Sequence, residues 1–114
     1  MQPHNERLKY FLDIQSIIEE LEKILAFLEN DYTSFNSNFI AIRAVERDLM
    51  IIGEAIDKLK KIEPDLTISN SHQIIGLRNM IVHAYDAIDP TLLWKILIKD
   101  LPILKIEIQT MINH

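Results

Sequence analysis

Glycine is scarce in this chain, with two residues among 114. A β-rich domain of this length uses glycine at many of its hairpin turns, so that class of fold is disfavoured. Apolar residues instead recur at three- and four-residue steps, which is the spacing of one face of an α-helix. In the first such segment they are Leu8, Phe11, Leu12, Ile18, Leu21, Leu25 and Leu28. The pattern predicts an all-α fold.

Four to five helices are expected, packed as a bundle. The first is predicted to begin at Asn5 as its cap and to end near Asn30. A turn at residues 30–34 precedes a second long helix that begins near Phe35 and carries apolar residues to Leu59. Because the turn between them is short, the two long helices should form an antiparallel hairpin.

The second half of the chain predicts shorter helices. Residues 72–85 form the third, after a polar stretch that contains Pro64. Asp89 followed by Pro90 is a cap with proline at the first helical position, which predicts the next helix start. Pro102 begins or kinks the last helix. Since no linker or repeat divides the chain, residues 1–114 are expected to form a single domain.

Composition narrows the classes of function. Twelve Lys and Arg against 17 Asp and Glu leave a net charge of -5, so broad attraction to nucleic acid is not expected and any such contact must be local. The absence of cysteine excludes thiolate zinc sites and cysteine nucleophiles. The histidines show no metal-ligand spacing, so neither a metal nor a cofactor is predicted.

Targeting signals are not recognised in the sequence. The first residues lack the cationic start and apolar run of a signal peptide, and no apolar stretch approaches the roughly 20 residues of a membrane helix. We therefore expect a soluble, cytoplasmic protein without a membrane partner.

The third predicted helix is unusually rich in residues that can do chemistry. Arg78 and Tyr85 lie at the edge of its apolar stripe, whereas Asn79 and His83 lie together on the far side. Taken alone, this pattern also fits an ordinary solvated helix face. Residues 78–83 read RNMIVH, and this stretch resembles the Arg-x4-His signature of HEPN domains. With Tyr85 it becomes Arg-x4-His-x-Tyr, which is similar to HepT, the toxin of HEPN/MNT toxin–antitoxin modules.

The resemblance extends beyond the motif. Residues 44–55 resemble the second-helix sequence of HepT-like proteins, and residues 73–79 resemble the start of their motif helix. Residues 89–94 and 100–102 also look like that family. The likeness covers about residues 5 to 112, which makes it far more specific than a lone Arg-x4-His pair.

Membership of this family would imply a four- to five-helix HEPN-type bundle that works as a homodimer. It would imply a metal-independent endoribonuclease that cleaves transfer or messenger RNA in a cleft between two copies, with Arg78 and His83 as catalytic residues and Asn79 in support. It would also imply that a cognate MNT nucleotidyltransferase, the antitoxin, silences the toxin by transferring AMP to Tyr85.

The residue types suit this chemistry, although other functions stay open. Histidine serves as acid or base near neutral pH, and arginine presents fixed donors to phosphate oxygens. An alternative is a non-catalytic subunit that binds nucleotide or substrate for a nucleotidyltransferase, and another is a plain helical dimerisation domain. Glu54 is either a solvated helix acid or a partner of Arg78.

Two further expectations concern packing. Gly53 and Gly76 are predicted to permit close approach of helices, because each lies inside a helical pattern where glycine is otherwise unfavourable. Glu46 and Asp48 are interpreted as ordinary acids on a helix face.

Overall fold

The computed structural model describes residues 3–83 and 88–114. All regular structure in these ranges is helical: α1 (Pro3–Phe27), α2 (Tyr32–Asn36), α3 (Phe39–Ile62), α4 (Ser71–His83), α5 (Pro90–Lys95) and α6 (Leu101–Ile112). A π-helical turn, Ile96–Asp100, joins α5 directly to α6, so the two form one interrupted C-terminal helix. The predicted all-α bundle is confirmed.

Helices α1 and α3 form the predicted antiparallel hairpin. Near the start of α1, the Arg7 Nε lies 3.0 Å from Oε1 of Glu63, which directly follows α3. At the opposite end, Ile24 and Phe27 of α1 line the same groove as Ile40 of α3. The hairpin therefore runs the full length of both helices.

The core lies between this hairpin, α4 and the C-terminal helix. Burying a large apolar side chain contributes about 1.5–3 kcal/mol, so a few such residues from each helix account for the packing. Side chains that are almost wholly buried are Phe11, Ile14, Ile18, Leu21, Phe35, Leu49, Ile52, Ile56, Leu59, Ile74, Leu93 and Leu97.

The start of the chain and its first connection differ from the prediction. Asn5 lies inside the first turn of α1 and is not its cap, and α1 ends at Phe27. Phe35 does not begin the second long helix but belongs to α2, whose existence the sequence did not indicate. The side chain of Asn38 caps α3 by accepting a hydrogen bond from the Ala41 amide at 3.1 Å.

Short as it is, α2 ties the hairpin to the C-terminal helix. The wholly buried ring of Phe35 lies 5.3 Å from that of Trp94, measured between centroids. The Tyr32 hydroxyl is 3.0 Å from the Thr91 hydroxyl oxygen. The connection between α1 and α3 therefore packs against α5.

Both proline predictions for the C-terminal helix are confirmed. Asp89 accepts a hydrogen bond from the Thr91 amide at 2.9 Å, with Pro90 at the first helical position. Pro102 has no N–H, and its ring would collide with the carbonyl four residues earlier in a regular helix. The helix accommodates it by widening, because the Leu101 amide bonds to the Ile96 carbonyl five residues back.

Two acids of α3 are not the surface acids that the sequence predicts. Glu46 is 7% exposed and Asp48 is 2% exposed. Burial, reinforced by a hydrogen bond and the charge of Glu20, raises the pKa of Asp48 to about 7. Because an aspartate in the unfolded chain has a pKa of about 4, the folded chain binds an extra proton between these pH values. The contribution of Asp48 therefore makes the fold less stable as the pH rises from about 4 to about 7, and this loss is complete once the pH exceeds about 7.

In residues 3–83 and 88–114, no helix combines the length and the apolar character needed to span a membrane.

Candidate active site on helix α4

The motif helix α4 packs closely against α3 at Gly53. A Cβ atom added there would lie 2.8 Å from the Arg78 Cβ and 3.0 Å from the Ile74 carbonyl oxygen. The missing side chain therefore lets the backbones approach, as the sequence predicts. Within the described part of a single chain the same prediction is wrong for Gly76, where an added Cβ would meet none of the described atoms within 4 Å.

This contact places Arg78 at the junction of the two helices. Its Nη1 donates a hydrogen bond to Oδ1 of Asn79 at 2.8 Å. Its Nη2 lies 3.6 Å from Oε1 of Glu54, and its Nε is buried and has no hydrogen-bond partner among the described side chains. Of the two interpretations of Glu54, the structure supports the one in which Glu54 is a partner of Arg78.

The arrangement suits the binding of an anion. The Arg78 side chain is 33% exposed, so its head reaches solvent while its stem packs over Gly53. Arginine stays charged and presents five N–H donors in a planar fork. One of these donors bonds Asn79 and the Nε–H is buried, so the remaining N–H groups of Nη1 and Nη2 can donate to oxygens of a phosphate group.

Two of the four predicted site residues are brought together in the described structure. Asn79 is predicted to support the catalytic residues, and its side-chain oxygen accepts a hydrogen bond from Arg78. His83 is the last residue of α4. Its side chain, and Tyr85 as a whole, lie outside the described residues. Their roles stay predictions.

Sequence reasoning missed Glu46. Its Oε1 accepts a hydrogen bond from Nη1 of Arg43 at 2.6 Å, and its Oε2 accepts a longer one from the Ile88 amide at 3.4 Å. This buried carboxylate of α3 therefore holds the backbone at Ile88, the residue at which the described structure resumes after α4. The signal that could have indicated it is the position of Glu46 directly after Val45 and three residues before Leu49, both of which are apolar.

Among residues 3–83 and 88–114, no group of three or more His, Asp or Glu side chains lies close enough together to hold a metal ion.

An all-helical bundle with Arg78 five residues before His83 on one helix agrees with a domain of the HEPN type. The family model described as "Ribonuclease HepT-like" matches residues 17–111. The chain belongs to this HepT-like family.

Relatives with similar sequences cover most of the chain. "Putative RNase MJ1380" of Methanocaldococcus jannaschii is 34% identical over 84% of this chain and 90% of its own length. "Putative RNase MJ1216" of the same organism is 31% identical over 93% of this chain and 88% of its own length. "Probable ribonuclease HepT" of Thermococcus cleftensis is 29% identical over 90% and 89%, respectively. No solved structure matches the chain.

The two glycines provide a direct test of the contact between α3 and α4. Gly53→Ala is expected to destabilise the fold by about 1–3 kcal/mol, because α4 must move away to admit the methyl group. Gly76→Ala is its matched control, since the added methyl group meets open space and alanine favours the helix by up to about 1 kcal/mol. Urea unfolding measures both effects. Equal stability of the two variants would contradict the tight contact at Gly53.

Proposed function

We propose that the protein is a metal-independent endoribonuclease toxin that cleaves transfer or messenger RNA. The observation that carries this proposal is the Arg78 guanidinium, fixed at the surface of the family's motif helix by Asn79 and Glu54. The names of the related RNases support the same reaction class. The acidic net charge agrees with a small positive site and not with a broad basic surface.

The proposed reaction uses the nucleophile that RNA carries. A base removes the proton of a 2′-hydroxyl, and the resulting oxygen attacks the adjacent phosphorus. The bond from phosphorus to the 5′-oxygen then breaks, and an acid protonates that leaving oxygen. The products are a 2′,3′-cyclic phosphate and a 5′-hydroxyl, so atoms and charge balance without a metal. His83 supplies the acid or base, and Arg78 stabilises the charge on the phosphorane.

One histidine cannot easily serve both ends of the cleaved bond, so we place the reaction in a cleft between two copies of the chain. A two-fold axis beside α4 would bring two Arg78 and two His83 residues to one cleft. The side of α4 away from α3 has room for a neighbouring chain, because a Cβ atom at Gly76 would meet none of the described atoms within 4 Å and Met80 is 48% exposed. The acid and the base can then come from different protomers.

Regulation is proposed to act through Tyr85. In this proposal, a cognate MNT nucleotidyltransferase, the antitoxin, transfers AMP from ATP to the tyrosine hydroxyl and releases pyrophosphate. The added phosphate places negative charge near the motif helix, where it would compete with RNA for Arg78. The modified protein is then inactive toward RNA.

The reaction is tested with purified protein and total RNA in the presence of EDTA. We expect cleavage that leaves 2′,3′-cyclic phosphate ends, because the chemistry needs only side chains and the 2′-hydroxyl. RNA with 2′-deoxy substitution at the cleaved positions is the matched control and should stay intact. No cleavage, or cleavage that depends on added Mg²⁺, would overturn the proposal. Nucleotide binding without cleavage would instead support the non-catalytic subunit.

Tyr85 is tested by co-expression with a nucleotidyltransferase encoded beside this chain. The intact mass is expected to rise by one or more AMP units, and cleavage of RNA should fall in proportion to the modified fraction. Tyr85→Phe should keep its unmodified mass, because it lacks the accepting hydroxyl, while Tyr32→Phe should be modified like the wild type. Modification of Tyr85→Phe would contradict Tyr85 as the acceptor.

A further inference from the structure

We infer that Glu54 of α3 is a positioning residue for Arg78: it orients the guanidinium for RNA cleavage without touching the RNA. This inference rests on the proposed function, since it assigns a role toward the same site. It starts from the contact between Glu54 Oε1 and Arg78 Nη2 across the junction of α3 and α4.

Three contacts restrain the Arg78 side chain, and they act on different parts of it. The close approach at Gly53 holds its Cβ against α3. The side-chain oxygen of Asn79 holds Nη1 at 2.8 Å, and the Glu54 carboxylate holds Nη2 at 3.6 Å. A single hydrogen bond leaves the planar fork free to rotate, whereas a second contact on the other terminal nitrogen defines its plane. Glu54 supplies that second contact.

The ion pair between Glu54 and Arg78 is too exposed to contribute much to the stability of the fold. The Arg78 and Glu54 side chains are 33% and 43% exposed, and ion pairs at such positions contribute about 0–1 kcal/mol to folding. Orientation of a catalytic group is different, because misplacing it by about 1 Å can lower a rate substantially. The main effect of Glu54 should therefore appear in the rate of cleavage and not in the stability of the fold.

Because the contact between Glu54 and Arg78 is long, it also leaves Arg78 available to RNA. At 3.6 Å, the Glu54 oxygen is beyond hydrogen-bond distance from Nη2. The N–H groups of Nη2 can therefore bond a phosphate without first breaking a strong bond to Glu54. Removing the carboxylate should loosen the orientation of Arg78 and, at the same time, remove a negative charge that repels RNA.

Asp57 provides a matched control on the same helix. Its side chain is 44% exposed and is paired with Lys61 of α3 at 3.3 Å, so it resembles Glu54 in burial and charge but makes its ion pair within one helix. Glu54→Ala and Asp57→Ala each remove one half-exposed carboxylate from α3. Only the first should affect Arg78.

The kinetic test compares these variants in the RNA cleavage assay. Glu54→Ala is expected to lower kcat about tenfold, a typical effect of losing a supporting contact, while KM for RNA stays unchanged or falls. Glu54→Gln, which keeps an acceptor oxygen, should recover part of kcat, and Asp57→Ala should stay within about twofold of the wild type. A higher KM with normal kcat, or equal behaviour of Glu54→Ala and Asp57→Ala, would overturn the inference.

A second measurement does not depend on cleavage. The chain has four arginines, so its Nε–H groups can be followed individually by NMR, and the Arg78 signal is identified by its loss in Arg78→Lys. Glu54→Ala should shift this signal and speed its exchange with solvent, whereas Asp57→Ala should leave it unchanged. An unchanged signal in Glu54→Ala overturns the positioning role alone. Absence of cleavage by the wild type overturns the proposed function, and with it the effect of Glu54 on cleavage.

Discussion

His83→Ala is expected to lower the rate of RNA cleavage by about 10²–10⁴-fold, the usual contribution of a general acid or base. In the proposed dimer both copies lose their imidazole, so neither the 2′-hydroxyl proton nor the leaving oxygen has a partner that titrates near neutral pH. The measurement is the initial rate of cleavage of a defined RNA in EDTA. The bell-shaped pH dependence expected of the wild type should disappear as well.

His72→Ala is the matched control for this result. His72 lies on the same helix, in its first turn, and is exposed to solvent. It should keep the wild-type rate, and both variants should keep the helical circular dichroism spectrum. Wild-type cleavage by His83→Ala would contradict the assignment of His83 and leave the chemistry to other residues.

Arg78→Ala is expected to lower cleavage by about 10²–10³-fold, the size of effect seen when one charge-stabilising donor is removed from a transition state. Arg78→Lys should recover only part of the rate, because an ammonium keeps the charge but loses the planar fork. Arg47→Ala removes an arginine of α3 whose side chain is 69% exposed, and it should behave like the wild type. Full activity of Arg78→Lys would show that charge alone matters at this position.

Mixing the two inactive variants tests the shared cleft. Heterodimers of Arg78→Ala and His83→Ala contain one intact arginine and one intact histidine, contributed by different chains. Because the shared cleft then holds one imidazole instead of two, subunit exchange should restore weak cleavage, above that of either variant and well below that of the wild type. Mixtures that stay as inactive as their components would contradict a cleft in which one arginine and one histidine from different chains support partial cleavage.

Local sequence patterns predicted most of the fold. They failed at the short helix α2, because its apolar residues continue the helical spacing of the longer helix α3. Phe35 and Phe39 are four residues apart, which continues a helical stripe, so the sequence did not reveal that they belong to α2 and α3. Phe39 is in fact 73% exposed. The cap at Asn38 was a readable signal, because Asn favours this position, but it was hidden inside an apparently continuous pattern.

For the candidate site, a different factor limited what the sequence could predict. The motif at Arg78 and His83 is local, so the sequence alone indicated it. Glu54 could not be assigned from the sequence, because its contact depends on how closely α3 approaches α4, and that distance is set by the packing of both helices on the core. Gly53 and Gly76 illustrate the point, since both interrupt helices in the same manner and only one lies at a close contact.

The π-helical turn at Ile96–Asp100 has a consequence for how relatives of this chain can differ in length. Such a turn holds one more residue than the α-helical turn it replaces. A relative without proline at the position of Pro102 can omit one residue from this turn and still direct the residues equivalent to Leu104 and Ile108 toward the core. Evolutionary insertions and deletions in the C-terminal helix are therefore best tolerated within these five residues.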